Sequence, residues 1–152
     1  MKLPYHAVAT ITISGVLYMV FKSWGLAVSS FVAGIFIDLD HIIDYLRENG
    51  RPFKIKNFFR ICHQCQFNKV ILIWHGWEWI VLLGAAAWLT GWNPWITGML
   101  IGITQHLLLD AINSIPDLKS LRSYSLIWRW KKDFDFDTLF PKMKNIKYRY
   151  IK

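Results

Sequence analysis

The stretch WGLAVSSFVAGIFIDLDHII, residues 24–43, decides how this chain must be read. Its purely apolar part ends at Ile37 after 14 residues, too few to cross a bilayer, which takes about 20. Carried on through Asp38, Asp40 and His41 to Ile43, it is long enough. That extension places three ionisable side chains in the embedded end of a helix, where uncompensated charge is costly.

Three further apolar runs accompany it. The first, Leu3 to Phe21, opens with Pro4, a good first-turn residue. Lys2 ahead of it would suit a signal peptide. No small-x-small cleavage site follows, however, and His6 and Lys22 bracket the run, so it reads as a retained helix. The third, Val70 to Leu89, contains His75 and Glu78. The tight turn Thr90-Gly91-Trp92-Asn93-Pro94 separates it from the fourth, Trp95 to about Ile112, which contains His106 and Asp110. The expectation is an all-α chain: an integral membrane four-helix bundle over residues 1–116, with a basic cytoplasmic loop, then a basic aromatic cytoplasmic tail over 117–152. In that tail, Asp133 to Asp137 alternates like a short strand that Pro141 ends.

Composition agrees. Of 152 residues, 54% are hydrophobic and only 18% charged, and the charges cluster, whereas a soluble domain scatters them over its surface. The net charge of +8 would suit nucleic acid. The basic residues flank the apolar runs, however, which points to membrane lipid and an anionic leaflet surface as partners, not nucleic acid. The aromatic, basic loop from Arg51 to Asn68 is expected to lie flat on that leaflet, with Phe53, Ile55, Phe58, Phe59 and Ile61 interleaved among its charges.

The same residues orient the bundle. Arg47, Arg51, Lys54, Lys56, Arg60 and Lys69 lie between spans two and three, and ten more Lys and Arg follow span four. Lys22 alone lies between spans one and two, and none lies between three and four. By the positive-inside rule this is a multi-pass protein of the inner (plasma) membrane with both termini cytoplasmic. Trp24, Trp88, Trp92 and Trp95 then line the outer interface.

Depth is the informative quantity. At 1.5 Å per helical residue, Asp38 lies roughly 21 Å below Trp24 and His106 roughly 18 Å below Pro94, while His75 lies roughly 9 Å in from Lys69 at the other face. His6 opens span one at that same inner face. Spans running in opposite directions thus bring their polar residues to one level, the cytoplasmic third. Local spacing supports a shared site: His106 and Asp110 are i,i+4, Asp38 and His41 are i,i+3, Asp40 and Asp44 are i,i+4, and His75 and Glu78 are i,i+3. Imidazole with carboxylate is a ligand set for zinc, manganese or iron. Carboxylates bridging two ions would suit phosphoester hydrolysis. A proton or ion pathway uses the same residue types but needs polar groups across the whole depth, and the outer halves of spans one, two and four carry no ionisable residue. Cys62-His63-Gln64-Cys65 supplies at most three ligands with no second pair nearby, and reads as reduced thiols in a loop.

Asp38-Leu39-Asp40-His41 resembles the D-x-D-H motif of the bacterial and archaeal membrane-bound, metal-dependent hydrolase-like proteins. An early histidine (His6), D-x-D-H, a histidine opening the third helix (His75) and H-x-x-x-D (His106 to Asp110) follow the order found in that family. Trp128-Arg129-Trp130-Lys131-Lys132 also falls where the family tends to carry an aromatic, basic stretch. One departure is Trp74-His75-Gly76-Trp77-Glu78-Trp79, where many members have H-R-G-x-T-H; here Glu78 would replace a lost ligand from one turn later. The resemblance implies one or two divalent ions, zinc or manganese, held by His6, Asp38, Asp40, His41, His75, His106 and Asp110.

Two functions fit these residues. One is a metal-dependent hydrolase at the cytoplasmic membrane face, acting on a phosphoester or lipid-linked substrate, with Glu78 and Asp40 as catalytic groups, Glu78 being a ligand or the general base. The other is a non-enzymatic membrane module whose buried His/Asp cluster is structural or binds a metal without catalysis.

Overall fold

A computed structural model describes residues 3–64, 66–113 and 122–141. The described chain is all-helical, in the order α1 (Leu3–Phe21), α2 (Trp24–Phe36), α3 (Leu39–Asn49), α4 (Ile55–Gln64), α5 (Trp77–Leu89), α6 (Pro94–Asn113), α7 (Leu126–Lys131) and α8 (Phe136–Leu139). Two helical stretches are long and apolar enough to cross a membrane, Trp24–Asn49 and Pro94–Ile112, and α1 and α5 are shorter apolar helices.

Short connections set the helix directions. Lys22, at φ 51°, and Ser23 reverse the chain between α1 and α2; Ser23 caps α2, its Oγ accepting from the Leu26 amide. Between α5 and α6 the chain turns through Gly91 and Trp92, both in the left-handed region. Asn93 then accepts from the Trp95 amide, and Pro94 occupies the first position of α6.

The central pair is α2 with α6, running parallel. A Cβ on Gly98 would collide with Ser29 and the Leu26 carbonyl, and one on Gly102 with the Ser30 carbonyl and the Gly34 amide. Small residues therefore let two backbones touch, the usual device where helices gain little from burying apolar surface against each other. Helix α1 packs mainly on α2, and α5 on α6. Trp24, Trp88, Trp92 and Trp95 are all exposed at the end remote from Asp38.

A second core lies at the opposite end. Tyr45 of α3, Phe58 and Ile61 of α4, Phe67, Val70 and Phe136 of α8 form one buried cluster. The loop expected to lie flat is thus divided: Phe58 and Ile61 are core, whereas Phe53, Ile55 and Phe59 are exposed. The described part of residues 117–152 likewise packs onto the body. The Val70 amide donates to the Phe134 carbonyl, the Phe136 amide donates to the Asn68 carbonyl, and Lys69 and Asp135 form an isolated antiparallel bridge. The alternation from Asp133 to Asp137 is that single bridge and no strand. Asp133 and Phe134 turn at positive φ, and Asp135 caps α8. Residues 117–121, 142–152 and Cys65 lie outside the described set.

The run Val70 to Leu89 is not one helix. Residues 70–76 are non-helical and α5 begins only at Trp77. The physical reason is α3. Its carboxylates take the amides of this segment, leaving them no helical partners.

Candidate metal centre

Helix α3 carries acids one turn apart, Asp40, Asp44 and Glu48, and these serve as three rungs. Glu48 accepts from the amides of Asn68 and Lys69 (2.9 and 2.6 Å). Asp44 Oδ2 accepts from those of Ile71 and Leu72 (2.8 and 3.3 Å). Asp40 Oδ2 accepts from the Trp74 amide and from His75 Nδ1 (3.2 Å for the latter). The ladder lays a non-helical, turned segment along α3 and delivers His75 to the cluster.

The continuous helix expected through Asp38 breaks there. Ile37 and Asp38 form a turn between α2 and α3, with the Asp40 amide donating to the Ile37 carbonyl and the His41 amide to the Asp38 carbonyl. Three-residue turns of this kind inside a long helical stretch often mark a functional position. On α6, Gly102, His106 and Asp110 share one face at i,i+4 spacing. The stripe that seats α6 on α2 therefore continues directly into the ligands.

Four atoms converge. His106 Nε2 lies 3.5 Å from Asp38 Oδ1 and 3.6 Å from Asp110 Oδ2. His75 Nε2 lies 3.6 Å from Asp38 Oδ1 and 3.9 Å from Asp110 Oδ2. Two ligand atoms on a tetrahedral ion with bonds near 2.0–2.1 Å stand about 3.3 Å apart; Asp38 Oδ1 is near that distance from both Nε2 atoms, whereas Asp110 groups with His106 and His6 rather than with Asp38 and His75. Both rings are turned correctly for an ion. His106 Nδ1 donates to the Gly34 carbonyl (2.9 Å), in the last turn of α2, where carbonyls are free for a side-chain donor. His75 Nδ1 donates to Asp40. Each Nε2 is left facing the carboxylates, the orientation that outer-sphere partners impose on metal-ligating histidines. His75 Nε2 is buried with no hydrogen-bond partner, a costly state that an ion would relieve.

His6, from α1, extends the group. Its Nε2 is 3.2 Å from Asp110 Oδ1 and its ring stacks on His106, with centroids 4.4 Å apart. His106, Asp110 and His6 form one triad of potential ligands, and Asp38, His75 and His106 a second. Because His106 has one free ring nitrogen, the two triads share a single ligand atom. The buried group could hold a metal ion.

The other expected site residues are placed differently. Asp40, buried behind His75, orients that ring and belongs to neither triad. His41 sits at the rim, Nε2 3.8 Å from Asp38 Oδ1, with a side chain 20% exposed. The side chains of Asp38 and Asp110 are 16% and 19% exposed. Glu78 is turned to another task, accepting from Ser125 Oγ (2.6 Å) and from the amides of Leu126 and Ile127 (3.0 and 3.2 Å) at the start of α7.

No family model, curated protein or solved structure matches this chain.

Arg129 is the residue that sequence reasoning missed. It is 1% exposed, and its Nη2 donates to the carbonyls of Leu72 and His75 (2.9 and 3.0 Å). Burial pushes its guanidinium down to about 10, against the pull of Glu78, Asp40 and Asp44, so it stays charged at neutral pH. Its signal was faint: an arginine between two tryptophans, four residues after the capping Ser125.

Proposed function

We propose that the protein is a multi-pass membrane hydrolase that uses a divalent ion, zinc or manganese, held by Asp38, His75, His106 and Asp110. The observation that carries this reading is the convergence of two Nε2 atoms and two carboxylate oxygens, with both Nδ1 atoms already committed elsewhere. Helices α1, α2 with α3, α5 and α6 would cross the bilayer, and the cluster would lie at its cytoplasmic side. Support for that orientation comes from Lys54 just before α4, Lys56 and Arg60 within it, and Lys131 and Lys132 by α7, all on the same end as the cluster. A cysteine introduced as Ile55→Cys, at an exposed α4 position, is then expected to react with a membrane-impermeant maleimide only after the cytoplasmic side is opened. Labelling of intact cells would reverse the orientation.

The substrate class is a phosphoester or another lipid-linked bond. An ion of this type supplies Lewis-acid chemistry at an ester oxygen and an acidified water. The chain's own residues do the rest. His6 holds Asp110 through its far oxygen, and Asp40 holds His75. His41, at the open rim beside Asp38, is placed to take the proton, the role Glu78 would have had. The basic loop and tail face the anionic leaflet and draw an anionic substrate to it. The order of motifs supports kinship with the membrane-bound, metal-dependent hydrolase-like proteins.

The test is turnover of phosphomonoesters, phosphodiesters and phospholipids by detergent-purified protein loaded with zinc or manganese. Metal-dependent turnover, abolished by His106→Ala and reduced about 100-fold or more by His41→Ala, is the expected result. An ion-loaded wild type inert toward all three classes would leave a metal-binding module without hydrolysis.

A further inference from the structure

We propose that Arg129 is a positioning residue for the ion site, and that through it ion binding is coupled to the docking of residues 122–140. The proposal rests on the metal reading above and adds a partner to it: the chain's own C-terminal segment.

His75 is held from both sides. It lies on a non-helical segment, and its amide donates to the Leu72 carbonyl. Everything else that fixes the segment comes from outside it. Along one edge the amides are taken by Glu48, Asp44 and Asp40 of α3. Along the other, the carbonyls of Leu72 and of His75 itself are taken by Arg129. The segment is thus gripped between a column of carboxylates and one guanidinium. Arg129 is well suited to this, since its planar fork reaches two carbonyls from one nitrogen and keeps its charge when buried. Asp40, Asp44 and Glu78 offset the cost of that burial.

The contact is also reciprocal. Glu78, three residues after His75, fastens the start of α7 at Ser125, Leu126 and Ile127. Four residues further along, α7 returns Arg129 to the His75 carbonyl. Residues 75–78 hold the helix that holds residue 75. This closed circuit explains why Glu78 is turned away from the cluster: its contribution to the site is made through α7.

Thermodynamic linkage supplies the consequence. An ion that draws His75 Nε2 toward Asp38 and Asp110 favours the docked arrangement, and the docked segment favours the ion by the same factor. A segment expected to be a free tail becomes part of the ion site, and loading of the ion would be read out on the protein's cytoplasmic surface.

The experiment uses the full chain in detergent, with zinc and with a chelator. Hydrogen exchange is followed at the amides of residues 70–75 and 126–131. Zinc is expected to slow exchange in both segments of the wild type by about tenfold, the lower end of what an outer-sphere partner contributes to metal affinity. Arg129→Gln should weaken zinc binding by a similar factor and remove the zinc dependence at 126–131, and Arg129→Lys should restore part of each. The visible spectrum of the cobalt-substituted protein should change in Arg129→Gln. A role confined to general stability would lower the melting temperature equally with and without zinc and leave that spectrum unchanged. Should Arg129→Gln fail to fold, the zinc dependence of wild-type exchange decides alone. Zinc bound by the wild type with exchange at 126–131 unchanged overturns this inference and leaves the metal reading standing. No zinc bound by the wild type overturns both.

Discussion

Gly102→Val is expected to abolish the folded bundle. A Cβ at this position meets the Ser30 carbonyl and the Gly34 amide, which are backbone atoms of a helix and cannot rotate aside. Overpacking a site whose neighbours can yield costs about 1–3 kcal/mol, and here the yielding would have to be a separation of α2 from α6. Such a separation breaks the hydrogen bond from His106 to the Gly34 carbonyl and parts Asp38 from His106. Loss of the monodisperse species in detergent, or a fall in melting temperature of about 10 °C or more, is the expected outcome, together with loss of bound metal. The control is Gly84→Ala, on α5, where a Cβ meets nothing within 4 Å. In a helix interior that change stabilises by up to about 1 kcal/mol. Wild-type stability in Gly102→Val would mean that the two helices do not touch through this stripe.

The second large effect concerns the ion. A ligand that binds only the folded state at a thousand times its Kd stabilises it by about 4 kcal/mol, roughly 10 °C for a chain of this size. Chelation of the wild type is expected to lower its melting temperature by that amount, and readdition of zinc or manganese to restore it. Asp38→Ala should be insensitive to both. In the ion-free forms Asp38 still faces both central histidines, with its Oδ1 3.6 Å from His75 Nε2 and 3.5 Å from His106 Nε2, so its removal leaves two buried rings without that partner. Ion-free Asp38→Ala should therefore melt below ion-free wild type. A wild type indifferent to chelator, with no metal by mass spectrometry, would make the cluster a structural polar core.

Where the sequence was legible, it was legible for physical reasons. The ends of α1 and α6 fall within a residue or two of the expected limits, since uninterrupted apolar runs bounded by Lys22 and by Asn93-Pro94 leave little choice. The convergence of Asp38, His75, His106 and Asp110 followed from depth, because helical rise is a reliable ruler. For His75 the ruler was misapplied. Val70 to Trp74 is apolar enough for a helix, and periodicity cannot separate a short buried loop from a buried helical turn. His75 arrives at the right place because the α3 carboxylates hold a turned, non-helical segment there.

The same carboxylates show what pattern alone conceals. Asp40 and Asp44 stood out as a pair one turn apart, and Asp40 as a ligand and catalytic candidate. That acids can take backbone amides from a distant segment is invisible until the segment is in place. Arg129 was concealed by its class. Ten basic residues follow α6, and nothing in the sequence marks Arg129 as one that turns inward, since a basic stretch is ordinarily a solvated or lipid-facing surface. Glu78 misled in the opposite way. Its i,i+3 spacing from His75 suggested a common centre, yet the helix begins between them, at Trp77, so the spacing rule did not apply.

Helix α5 is shorter than a bilayer is thick. It has 13 residues, about 20 Å of helix, against a hydrocarbon thickness of about 30 Å. In the bilayer proposed for this protein, the shortfall lies at the cytoplasmic end, where residues 70–76 replace the missing turns. Lipid beside α5 must thin to meet it, at a fraction of a kcal/mol per ångström. The leaflet would dip toward the rim formed by Asp38, His41 and Asp110. Headgroups there would be carried down to the ligands by the shape of the membrane, without any lipid having to leave it.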